Sequence, residues 1–312
     1  MTVIERPVSG AAQPARRRAP RRWRTPMEDG FMGSALLAGP ANVIMQLSRP
    51  GVGYGVVESR VESGRIDRHP IKRARTTFTY LAVATHGTDD QRAAFRRAVN
   101  RAHAQVYSTD DSPVSYNAFD PELQMWVAAC LYKGAVDVYR LFVGEMDAET
   151  ADQHYRDGMA LGTTLQVPPQ MWPPDRAAFD EYWRKSLDRV HIDDTVRDYL
   201  YPIAKARVAL SLPRAMRKPL ERIALLITTG FLPQRFRDEM RLPWDARRQR
   251  WFDRLMATVR VANKVLPRVV RRQRRHWDRH SRRERRRPHT RRRVQSERRR
   301  PAGERQSRSQ TA

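Results

Sequence analysis

The chain has 312 residues, and its 60 Lys plus Arg against 34 Asp plus Glu leave a formal charge of +26 at pH 7. Residues 1–25 hold seven Arg and one acid, and residues 268–312 hold nineteen Arg, no Lys and four acids, so the stretch between the two ends is close to balanced. One cysteine, Cys130, excludes a disulfide framework and any site that needs several thiolates, such as a zinc finger or an iron–sulfur cluster, and it fits a reducing, cytoplasmic setting.

In chain order, residues 1–29 read as a disordered basic arm, punctuated by Pro7, Pro14, Pro20 and Pro26 and too poor in apolar residues to offset the entropy of ordering. Its arginines, Arg16 to Arg18 and Arg21 to Arg22, are not followed by the apolar run of an export signal, because Glu28 and Asp29 stand where that run would begin. Residues 30–267 read as one all-α domain, since apolar residues recur at helical spacing and β-branched alternation is scarce. Helices are expected at 67–86 and 89–107, the second with Asp89–Asp90 at its N-cap and Phe95, Val99, Ala102 and Val106 on one stripe, with Arg92, Arg96, Arg97 and Arg101 facing away. Asp120–Pro121 opens the next helix with proline at its first position, and further helices are expected at 147–165, 175–190, 193–201 and 219–231. Between two of these, four prolines from Pro168 to Pro174 call for a rigid extended connection. A last helix starts near Asp245 and passes Trp251, Leu255 and Val259, with the Arg-rich tail at 268–312 beyond it. The apolar stretch Ile223 to Leu232 is interrupted by Thr228, Thr229 and Gly230 and falls short of a membrane span, for which about 18 residues are needed.

Chemistry has few candidates. His276 and His280 are spaced to share a helix face but sit in a field of like charge without an adjacent Glu base, which suits a bound cation poorly. His103 falls four residues after Val99 and three before Val106, so it projects beside the apolar stripe of its helix. An imidazole there stays neutral and can donate a lone pair to a metal, or it can be a core histidine satisfied by one hydrogen bond. Position alone leaves both open.

The order Ser48-Arg49-Pro50, Val57-Glu58-Ser59, Arg73-Ala74-Arg75-Thr76-Thr77, Asn100-Arg101-Ala102-His103-Ala104-Gln105-Val106 and Tyr116-Asn117-Ala118-Phe119-Asp120-Pro121-Glu122-Leu123-Gln124-Met125-Trp126-Val127 resembles the catalytic domain of the MpaB and rubber-oxygenase (latex clearing protein) family over roughly residues 30–265. The resemblance implies a globin-like helical core that holds haem b, with His103 as the axial iron ligand and dioxygen as co-substrate. It implies further that Arg73 and Thr77, one helical turn apart, face the distal side as cofactor-binding and catalytic residues, and that Glu58 supplies acid or base. Two departures stand out. Thr76 replaces the Lys that rubber oxygenases carry before their Thr, and Arg49-Pro50 stands where many relatives read His-Pro.

The function so implied is haem-dependent oxygenation of a hydrophobic substrate, isoprenoid or lipid-like, by oxidative cleavage of a C=C bond. The competing class is a non-enzymatic basic binding module on a helical haem-carrier or structural body. Its tail at 268–312 would hold nucleic acid or an anionic membrane surface through counterion release, and it would place the chain at the membrane periphery.

Overall fold

The computed structural model describes residues 33–61, 70–207 and 213–265. The two basic ends, with His276, His280 and His289, lie outside the described residues. Eleven α-helices are formed among the described residues. They are α1 (Gly39–Leu47), α2 (Pro50–Val57), α3 (Pro70–His86), α4 (Asp89–His103), α5 (Pro121–Phe142), α6 (Ala148–Thr163), α7 (Arg176–Leu187), α8 (Asp194–Ala204), α9 (Arg214–Phe231), α10 (Gln234–Glu239) and α11 (Ala246–Val265). No strand forms among the described residues beyond one isolated bridge, Tyr107 to Asn117, so the chain is all-α as its periodicity predicts. Among those residues no helix is long and apolar enough to cross a membrane.

Short polar side chains start the helices. Asp120, Asp147, Asp175 and Asp193 each accept a hydrogen bond from a backbone N–H of the first turn, at 2.7–2.9 Å. At α4 the cap is Thr88 and not the expected Asp89, because Thr88 and Gln91 form a reciprocal capping box that leaves Asp89 and Asp90 in the first turn, where they oppose the helix dipole. That helix also ends sooner than expected. It stops at His103, and Val106 lies in the following loop, where its carbonyl accepts from Ala118 N–H. Helix α9 starts before Pro219 and takes the proline into its second turn, and the proline-rich connection folds part of itself into a 3-10 turn, Pro169–Met171. Three helices, α1, α2 and α10, arise where no helix is expected from periodicity.

The core forms around α5. Trp126 is fully buried, stacks on Trp183 at 5.3 Å between ring centroids and donates its indole N–H to the carbonyls of Met45 and Gln46. One turn and a half further on, Tyr132 meets Tyr155, Trp172 and Phe179 edge to face at 4.8–6.0 Å, which ties α5 to α6 and α7. A smaller apolar cluster, with Val138, Phe142, Phe252 and Met256, seats α11. There α9 and α11 approach so closely that a Cβ on Gly230 would lie 2.1 Å from the ring of Phe252. Gly230→Ala is therefore expected to lower stability by about 1–3 kcal/mol despite the better helix propensity of alanine, because the two helices must separate. A urea-unfolding midpoint no lower than wild type would refute this close contact.

Candidate functional site

Helices α3 and α4 form an antiparallel hairpin. Phe95 packs on Tyr80 with 5.7 Å between centroids, and nearer the turn Arg92 Nε donates to the Ala84 carbonyl at 3.0 Å. Continuing the same pairing away from the turn brings the start of α3 beside the end of α4, and so Arg73 beside His103. The Tyr80 hydroxyl donates to the Leu161 carbonyl and fastens the hairpin to α6.

His103 occupies the last turn of α4, half-buried, with Phe119 edge-on to its ring at 6.2 Å. Its Nδ1 is buried without a hydrogen-bond partner. Burial, and next the nearby charge of Arg73, push the His103 pKa down to about 4, so the ring is neutral at physiological pH.

Arg73 has accessible surface, yet removal from water is the main cause that lowers its pKa, with Tyr199 of α8 partly opposing the shift. The guanidinium keeps its charge there, since arginine does not deprotonate in proteins. Thr77 follows one turn later on α3, and its hydroxyl donates to the Arg73 carbonyl at 3.1 Å, which leaves the oxygen free to accept. The structure thus sets the charge of Arg73 near His103, while Thr77 lies one turn further along α3.

Glu58 is placed differently. It caps the end of α2, and its Oε2 accepts from Tyr116 Oη and Ser112 Oγ, both at 2.7 Å. Burial first, then the Glu58 hydrogen bond, raise the Tyr116 pKa to about 12, so Tyr116 remains a donor. The carboxylate borders a cavity of about 220 Å³ lined also by Arg60, Gln105, Val106 and Tyr107, against the loop that leaves His103. Periodicity could not have found Tyr116, Ser112 or Tyr199, which reach the site from distant segments. Among the described residues, no group of three or more His, Cys, Asp or Glu is arranged to hold a metal ion.

Two relatives align over 232 residues at 54% identity, covering 74% of this chain and 90% of theirs: uncharacterized protein Rv2237 of Mycobacterium tuberculosis and uncharacterized protein Mb2261 of Mycobacterium bovis. No solved structure matches. Residues 29–261 match the family model described as ER-bound oxygenase mpaB/B'/Rubber oxygenase, catalytic domain. With three quarters of its length inside that model, and with the all-helical body already described, the chain belongs to the MpaB and rubber-oxygenase catalytic-domain family, a family of oxygenases.

Proposed function

We propose that the chain is a haem-dependent oxygenase that cleaves a C=C bond of a hydrophobic, isoprenoid or lipid-like substrate with dioxygen. The observation that carries this reading is His103, a neutral, half-buried imidazole with an orphaned Nδ1, set near the charge of Arg73. These residues fit a haem. One protein ligand suffices where a porphyrin supplies the equatorial donors, and a neutral ring offers the lone pair that iron needs. Haem bound at His103 would supply dioxygen binding and activation beside the substrate.

The chain's own residues would do the rest. Arg73 would neutralise a haem propionate. Thr77 would present its hydroxyl oxygen on the same side, one turn along α3. Its neighbour Thr76, whose hydroxyl bonds to the Lys72 carbonyl at 3.0 Å, has no amine to offer iron, so gating by a distal Lys is not part of this reading. Glu58 is the candidate acid or base, held still by two hydroxyl donors at the mouth of its cavity. The hydrophobic parts of the substrate would contribute affinity at about 25 cal/mol per Å² buried.

The test is incubation of the haem-loaded protein with a broad lipid extract under heavy-isotope dioxygen, followed by mass spectrometry. Labelled carbonyl products are expected. Arg73→Ala and Thr77→Ala should lower turnover by about 10- to 100-fold while leaving the unfolding midpoint within error of wild type. No labelled product from any extract by protein that binds haem would overturn the oxygenase reading in favour of a haem carrier.

A further inference from the structure

Helix α5 carries a buried amide, Gln124, in its first turn, and both its donors and its acceptor are used. Its Nε2 donates to the Ala118 carbonyl and to Gln166 Oε1, both at 2.7 Å, and its Oε1 accepts from the Gln166 backbone N–H at 2.9 Å. Gln166 lies in the turn after α6, and its own Nε2 donates onward to Asn100 Oδ1 at 2.7 Å. A backbone carbonyl only accepts and a backbone N–H only donates, so Gln124 has one orientation here, and with it Gln166 and Asn100. The three amides form a directed chain from α5 to α4.

Both arms of this chain end beside His103. Asn100 stands three residues before it on α4, on the neighbouring part of the helix surface. Ala118 precedes Phe119, the ring edge-on to His103, and its N–H donates to the carbonyl of Val106, three residues after the histidine. His103 sits in the last turn of its helix, where ends fray, and its Nδ1 makes no hydrogen bond of the kind that commonly orients a ligand imidazole. Orientation therefore has to come from what grips the helix end and the facing ring, and Gln124 is common to both grips.

We propose that Gln124 is a positioning residue for His103, fixing the last turn of α4 through Gln166 and Asn100 and the Phe119 ring through Ala118, so that the imidazole presents its ligand nitrogen in one direction. This role rests on the haem-dependent reading proposed above. A buried glutamine that only tied helices together would be felt across the whole body when lost, whereas loss of this one should be felt at two short segments around His103.

The test uses the full chain, haem-free and haem-loaded, with Gln124→Leu, whose side chain stays apolar and buried and neither donates nor accepts. Hydrogen-exchange mass spectrometry of the haem-free protein should show residues 98–106 and 116–120 exchanging at least about tenfold faster than in wild type, while residues 176–187 of α7 keep the wild-type rate. Gln166→Leu cuts the Asn100 arm and leaves Gln124 on Ala118, so it should speed exchange at 98–106 alone, and it decides the matter if Gln124→Leu does not fold. Loaded with haem, both variants should keep the Soret band, since His103 remains, but should broaden the ferric electron paramagnetic resonance signal, because a loosely held imidazole takes several orientations about iron. Wild-type exchange at 98–106 in both variants would overturn the proposal, and so would equal acceleration in α7, the mark of a general structural role. If wild type takes haem and both variants reproduce its resonance signal unaltered, Gln124 is not a positioning residue and the haem reading stands. A wild type that takes no haem would remove both.

Discussion

Replacing His103 by alanine should reduce the Soret band of haem-reconstituted protein to background. The expectation follows from the supply of ligands. His103 is the imidazole that ends α4 next to Arg73, its ring is held neutral by burial, and its Nδ1 has no partner in the fold. The substitution should cost little stability, because it removes a half-buried ring whose Nδ1 is unsatisfied. Arg73→Ala, which removes one charge partner and no bond to iron, should weaken haem retention only in part. Added imidazole is a second measurement. Diffusing into the space left in His103→Ala, it should restore the band, whereas it should not rescue a variant that has lost its fold. Equal and specific haem retention by wild type and His103→Ala would remove His103 as the ligand. A wild type that takes no haem under any reconstitution would remove the cofactor itself.

How much of this was legible in the sequence depends on how far apart the cooperating residues stand. The α4 stripe, the Asp120–Pro121 start of α5 and the helices that follow, α10 excepted, are local patterns, and they appear close to where periodicity and capping place them. Helix α2 was not legible, because Pro50–Val57 contains four residues that read as loop, Pro50, Gly51, Gly53 and Gly55. Packing explains at least Gly53: a Cβ there would lie 2.7 Å from the Leu47 carbonyl oxygen, so the tight α1–α2 corner needs it. The end of α4 at His103 was missed because the apolar stripe runs on to Val106, while the loop's pairing of Tyr107 with Asn117 draws the chain away from the helix. At the site, His103 was legible as a histidine beside an apolar stripe, but its meeting with Arg73 depends on the hairpin of α3 and α4. The hold of Tyr116 and Ser112 on Glu58 spans more than fifty residues and has no local signature.

A second histidine sets an acid limit on the fold. His154 on α6 is fully buried beside Tyr132 and Tyr139 of α5, and neither of its ring nitrogens has a hydrogen-bond partner. Burial alone pushes its pKa down to about 4 from an ordinary 6.5. The folded form thus takes up the proton later than the unfolded chain does. Above pH 6.5 both states are neutral and the group has no effect on stability. As pH falls from 6.5 toward 4 the unfolded chain binds the proton and the folded one does not, so stability drops across that window, by on the order of 3 kcal/mol in full. His154→Phe should remove this component. It keeps an aromatic ring against Tyr132 and Tyr139 and deletes two unsatisfied polar atoms, so at pH 7 it should be neutral or stabilising within about 1 kcal/mol. The measurement is the urea-unfolding midpoint of wild type and variant at several pH values between 7 and 4, read as the difference between the two proteins so that carboxylates and His103 common to both cancel. A gap that opens steadily in favour of His154→Phe as the pH falls is the expected result, and parallel curves would mean that His154 is not the buried, unpartnered base described above.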